Sequence, residues 1–189
     1  MVSLVDVVPT ILDWFQISAK EPEASPERLG HSLLPILNAE PKDGWDTVYA
    51  SHSLHEIAMY YPMRSIRTKK YKVIRNLNYK MPFPIDQDFY ASPTFQDLLN
   101  RTRDHQPLHW FTDLHGYYYR DSWELYDVLT DPKEIKNLAY DPNYSFVLAN
   151  LSSKLRSWQN VTSDPWICAQ DGVFMKQPYP HCGPLLNDL

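Results

Sequence analysis

Glycine is scarce, with five residues against sixteen prolines in a chain of 189. The backbone is therefore expected to run through long rigid loops rather than continuous helices. Cysteine is scarcer still, at two. No block of lysine and arginine occurs and the formal net charge is -5, which excludes the electrostatic footprint of a nucleic-acid binder. An anionic ligand would need a local basic pocket instead. No apolar run reaches the roughly 20 residues that a membrane helix requires, so neither nucleic acid nor a membrane is an expected partner. The opening residues, Met1-Val-Ser-Leu-Val-Asp6, have no cationic lead, and Asp6 breaks the apolar stretch. No signal peptide is expected there.

What is present argues for a packed globular protein. The hydrophobic fraction is 43%, with 6 Trp, 13 Tyr and 7 Phe, and disordered chains are poor in such residues. The length suits one domain with its own core. Four glycosylation sequons occur, at Asn100, Asn143, Asn150 and Asn160; glycan would be attached to them only in the secretory pathway. Cys168 and Cys182 bracket a short stretch with Gly172, Pro178, Pro180 and His181, which suits a disulfide in an oxidising compartment. Two unpaired buried thiols are the other reading. A secretory-looking body without a secretory start leads us to expect that the natural N-terminus lies upstream.

Periodicity sets the expected elements. Asp6 can cap a helix through Phe15, with Pro9 in the first turn and Val8, Ile11, Leu12 and Phe15 on one apolar face. That helix is apolar enough to dock on something larger than this chain supplies. Residues 18–29 read as a polar loop and Gly30 to Leu37 as a short helical turn. A strand is expected from Thr47 to Ser51, then a hairpin of Met63–Arg67 and Tyr71–Leu77 across Thr68-Lys69-Lys70. Residues 78–122 form a long structured insertion with one short helix near Phe95–Leu99, because so many large apolar groups would not stay solvated. Trp123 to Asp127 reads as a strand. Tyr144, Val147, Leu148, Leu151, Leu155 and Trp158 form a stripe of period 3.6, predicting a helix over 143–159 that lies across the sheet.

Several side chains could carry chemistry. His52, His55 and Glu56 fall within five residues after a predicted strand, but H-x-x-H-E is neither zinc-helix spacing. Loops at strand ends display binding groups, so His55 and Glu56 are expected on a pocket rim; a buried Glu56 paired with a basic residue is the competing view. Arg64 and Arg67 can offer bidentate forks to an oxyanion, whereas Lys69, Lys70 and Lys72 read as a solvated hairpin face. Asp86 and Asp88 lack the glycine and glutamate of a calcium loop and read as a turn. The aromatics from Trp110 to Tyr126 read as core.

Two stretches resemble signatures of the sulfatase family, within the alkaline-phosphatase-like superfamily. One is Val2-Ser-Leu-Val-Asp-Val-Val-Pro-Thr-Ile-Leu-Asp-Trp-Phe followed by Gly30-His-Ser-Leu-Leu-Pro-Ile-Leu. The other is Glu124-Leu-Tyr-Asp-Val-Leu-Thr-Asp-Pro-Lys-Glu-Ile-Lys-Asn-Leu. The middle stretches 55–67, 76–90 and 92–102, with Asp164-Pro-Trp-Ile-Cys and Cys182, resemble family members that remove the N-linked sulfate from glucosamine at the non-reducing end of heparan sulfate. Members with O-sulfate ester substrates are the enzymatic rival; a truncated isoform or partial gene product acting only as a binding module is the non-enzymatic one.

The resemblance implies an incomplete α/β fold. Residues 1–45 would be the end of the large N-terminal catalytic domain, and 46–189 a smaller C-terminal antiparallel sheet packed by a helix. It implies a lysosomal enzyme whose formylglycine comes from a C/S-x-P-x-R motif and whose calcium is held by Asp and Asn, both in the N-terminal domain. Neither cysteine here fits that motif, since Cys168 precedes Ala-Gln-Asp and Cys182 precedes Gly-Pro-Leu. No catalytic residue and no metal ligand is therefore expected in this chain, which alone should be inactive. Its expected partners are a heparan sulfate oligosaccharide and the N-terminal domain; a homodimer is compatible with the same reading. His55, Glu56 and Arg64 are the expected substrate-facing residues.

Overall fold

The computed structural model describes residues 1–17, 30–37, 39, 44–54, 59–108, 110, 112–169, 171–176 and 180–184. At its centre is a four-stranded antiparallel sheet in the order β1 (Thr47–Leu54), β2 (Tyr60–Thr68), β3 (Tyr71–Asn76) and β4 (Trp123–Asp127). The expected hairpin is present, closed at Thr68, whose hydroxyl accepts from the Tyr71 N–H.

Register explains the core. Tyr49 lies opposite Ile66, Ile66 opposite Val73 and Val73 opposite Leu125, so one row of side chains crosses all four strands. Alternation along each strand sends this row to a single face. Helix α5 (Ser145–Val161) lays Leu151 and Leu155 on it, flanked by Val147, Leu148 and Trp158. The Trp158 ring stacks on Tyr49 with centroids 5.2 Å apart. The stripe of period 3.6 is thus the face that meets the sheet. The helix itself begins two residues later than expected, because Asp141 first supports a 3-10 turn over Pro142–Tyr144 by accepting from the Asn143 N–H.

The opposite face carries the insertion, which holds three helices rather than one: α2 (Gln87–Ala91), α3 (Pro93–Arg103) and α4 (Leu114–Tyr118). Each begins at a cap. Asp86 accepts from Asp88 and Phe89 N–H, Ser92 from Phe95 N–H with Pro93 following, and Asp113 from Gly116 N–H. Asp86 therefore starts a helix rather than merely a turn. Phe95, Leu98 and Leu114 form a second apolar cluster. The insertion reaches the sheet through Phe83, 5.0 Å from the fully buried Tyr61 and 5.8 Å from Tyr117.

Helix α1 (Val7–Trp14) buries none of its residues. Leu4, Val8, Ile11, Trp14 and Phe15 are all exposed, an apolar surface of the kind that marks a contact site. Asp6 does not cap it as expected. The buried Asp6 carboxylate accepts from the N–H groups of Ser3 and His31, tying the segment from Gly30 back to the chain start. A further difference is a two-stranded sheet, β5 (Gly172–Met175) and β6 (His181–Pro184), within what reads in the sequence as a loop. Cys168 and Cys182 are joined there as a disulfide.

Truncating Leu155, which is 1% exposed at the helix–sheet contact, should cost about 2–5 kcal/mol. Denaturant unfolding followed by tryptophan fluorescence should show this for Leu155→Ala. A change below about 1 kcal/mol would mean that α5 does not anchor the sheet.

Candidate substrate-facing site

One end of the sheet gathers the groups of interest. Strands β1 and β2 pair regularly as far as His52 opposite Met63, after which the register shifts before Leu54 meets Tyr60. Such irregularities end pairing and re-aim side chains. The connection that follows, 55–58, holds His55 and Glu56 and lies outside the described residues.

Arg64, expected near the mouth of the substrate pocket, is enclosed. It is 4% exposed and on the α5 side of β2. Its Nε and Nη2 donate to the two carboxylate oxygens of Asp164 at 2.7 and 2.8 Å, and its Nη1 donates to the carbonyls of Met63 (2.8 Å) and His52 (3.1 Å). A fork engaged on both edges has little left to offer an external sulfate. Arg64 is thus ion-paired with Asp164, a hundred residues away in the sequence.

Asp164 is correspondingly enclosed. It accepts from Gln159 Nε2 at 2.8 Å and from the Trp166 N–H at 3.1 Å as well as from Arg64. Burial alone would raise its pKa; the bonds from Arg64, Gln159 and Trp166 and the Arg64 charge prevail and hold the carboxyl below its ordinary value. Asp164 also fixes the turn that follows. Its carbonyl accepts from Ile167 N–H, while Arg156 and Arg75 donate to the carbonyls of Ile167 and Ala169. The disulfide anchors Cys168 in the same turn.

Beside this turn is a cavity of about 420 Å³, walled by Tyr60, Pro62, Leu77, Pro165, Trp166 and Val173, with Asn78 among its few polar groups. The rings of Tyr60 and Trp166 face each other at 5.5 Å and 53°. A second, more polar cavity of about 570 Å³ lies on the insertion side of the sheet and includes Arg120, Glu124, Tyr126, Lys72 and Glu134. There the buried Glu124 accepts from Asn76 Nδ2 and from the Tyr126 hydroxyl, at 2.6 and 2.7 Å. Burial, then the Glu124 charge and bond, push the Tyr126 pKa upward. Lys72 is paired with Glu134 at 2.6 Å and Lys70 with Asp127 at 3.7 Å, so these lysines are not simply solvated.

Among the described residues no group of three or more His, Cys, Asp or Glu could hold a metal ion, and no helix is long and apolar enough to cross a membrane. Asn100, Asn143, Asn150 and Asn160 are all exposed.

Comparison with known proteins places the fold. No protein-family model matches the chain. In fold it resembles a 2-O GAG sulfatase (23% identity, TM-score 0.54, covering 95% of this chain and 30% of that one). It also resembles a protein solved with its substrate D-glucosamine-2-N,6-O-disulfate (22% identity, TM-score 0.52, covering 84% and 24%). The architecture is that of a partial, C-terminal region of the alkaline-phosphatase-like sulfatase fold. In sequence the chain is 53% identical, over its whole length, to human N-sulphoglucosamine sulphohydrolase, of which it spans 38%. It is also 27% identical, over 87% of its length, to an ulvan-active sulfatase of Formosa agariphila, of which it spans 30%. The chain thus covers well under half the length of these relatives.

Asp164→Asn should destabilise the protein by about 3 kcal/mol or more, because it leaves Arg64 buried without its counter-charge. The pH dependence has a definite sign. A carboxyl whose folded pKa is depressed contributes stability above its unfolded pKa, near 3.9, and loses it as pH falls through the lower folded value. Melting temperatures of the two proteins should differ most near neutrality and converge below about pH 4. A difference that persists unchanged in acid would contradict the assignment.

Proposed function

We propose that this chain serves as the C-terminal part of a lysosomal sulfatase that hydrolyses the N-linked sulfate of glucosamine at the non-reducing end of heparan sulfate. The observation that carries this reading is the 53% identity to the human N-sulphoglucosamine sulphohydrolase across the whole chain. Residues 1–45 then belong to the large catalytic domain and 46–189 to the smaller C-terminal one; the exposed apolar surface of α1 supports that division, since it suits packing into a larger body.

In this reading the nucleophile and the calcium ion are supplied by residues outside this sequence. Calcium, when bound, would stabilise charge on the sulfate oxygens. Neither cysteine of this chain can take the nucleophile's part, because both are committed to the disulfide. The chain contributes wall and rigidity. His55 and Glu56, on the connection at the irregular end of β1, would meet the sugar's hydroxyls or amine, and the buried Arg64–Asp164 pair would hold the strand and turn on either side of them. Attachment of glycan at the exposed Asn100 accords with passage through the secretory route.

The 189-residue chain expressed alone should release no sulfate from N-sulfoglucosamine, whereas a longer polypeptide carrying a C-x-P-S-R motif upstream should. In that longer enzyme His55→Ala or Glu56→Gln should raise KM or lower kcat at an unchanged melting temperature. Turnover by the purified 189-residue chain, absent from a mock preparation, would contradict the proposal.

A further inference from the structure

We infer that Trp166, faced by Tyr60, is the stacking wall of a subsite for a sugar ring of the glycan, and that Arg64 and Asp164 are its positioning residues. This rests on the glycan-sulfatase reading above and names the part of the substrate held at this end of the sheet.

The cavity that these two rings help to line has the dimensions of a small-molecule site. Its wall is unusual in composition for a surface that should hold a sulfated ligand. Tyr60, Pro62, Leu77, Pro165, Trp166 and Val173 are apolar or aromatic, and among the described residues no lysine or arginine lines it. A sulfate group would gain little from these side chains. A pyranose ring is the fragment of such a glycan that suits it, because its axial C–H groups make an apolar face while its hydroxyls project around the edge. The face can lie on the Trp166 indole, and the edge can meet the Asn78 side chain. Both aromatic faces are open to solvent in part, Tyr60 being 40% exposed and Trp166 half-buried. The cavity adjoins the start of β2, immediately after the connection that carries His55 and Glu56.

The backbone that carries the indole is held from below. The main-chain N–H of Trp166 donates to Asp164 Oδ1, and the same carboxylate is clamped by the Arg64 fork and by Gln159. Arg64 is thereby tied to the ligand site without touching it. The disulfide at Cys168 and the bond from Arg75 to the Ala169 carbonyl hold the far side of the turn. Such support is what keeps a binding group within the small tolerance that recognition requires.

The test uses heparin-derived di- and tetrasaccharides with N-sulfoglucosamine at the non-reducing end, on the longer enzyme that carries this chain. Trp166→Ala and Tyr60→Ala should each raise KM about tenfold, with kcat within about twofold and the melting temperature unchanged. Trp166→Phe should recover most of the loss. Asp164→Asn should raise KM in the same direction while also lowering the melting temperature. Saturation-transfer NMR with the same oligosaccharides reads binding without turnover. Ring-proton enhancements that vanish in Trp166→Ala uphold the wall even if no sulfate is released, in which case the hydrolytic reading alone falls. Enhancements and KM that are unchanged in both alanine variants overturn the wall, whatever the turnover of the parent.

Discussion

The contact between Arg64 and Asp164 is the constraint on which the rest of the sheet and its packing depend. Both groups are almost fully buried, and an ion withdrawn from water costs several kcal/mol unless its partners replace the lost hydration. Here the replacement is thorough, with two parallel bonds between fork and carboxylate, two strand carbonyls for the remaining guanidinium edge, and an amide and a backbone N–H for the remaining carboxylate lone pairs. The pair joins β2 to the segment after α5. That segment would otherwise be held to the sheet by few apolar contacts, since it is short and rich in turns.

From that junction the two faces of the sheet diverge. Towards α5 the row Tyr49, Ile66, Val73 and Leu125 is dry and apolar, which favours one helix orientation and one register. Towards the insertion, Asn76, Glu124 and Tyr126 form a buried polar network, bordered by the aromatic cluster around Phe83 and Tyr117. Neither face is available for a second layer. A further apolar surface is on α1, remote in sequence from the sheet, where Val7, Val8, Ile11 and Trp14 are exposed. This distribution matches a fold that covers about a third of its sulfatase relatives.

What the sequence made legible was whatever repeats with a local period. The stripe from Tyr144 to Trp158, the hairpin across Thr68 to Lys70 and the strand from Trp123 to Asp127 are set by neighbours a few residues apart. The caps at Asp86, Ser92 and Asp113 were equally local and could have revealed all three insertion helices. Strands β5 and β6 were not legible, since four residues such as His-Cys-Gly-Pro show no alternation. At the candidate site, the pairing of Arg64 with Asp164 left no local trace at all. The only signal was Asp164-Pro165, an Asp–Pro step of the kind that starts turns, and it says nothing of a partner a hundred residues earlier. An arginine between Met63 and Ser65, two residues before Ile66, reads equally well as a ligand fork or as a core ion; only burial distinguishes them.

A double-mutant cycle between positions 64 and 164 tests this account most directly. Arg64→Leu and Asp164→Leu should each lose about 3 kcal/mol or more of unfolding free energy, because each strands a buried charge. The double variant, in which no charge is stranded, should be much less destabilised than the sum of the two, by a coupling of at least about 1.5 kcal/mol. Losses that simply add would show that Arg64 and Asp164 do not act as a unit, and would contradict the central place given to them.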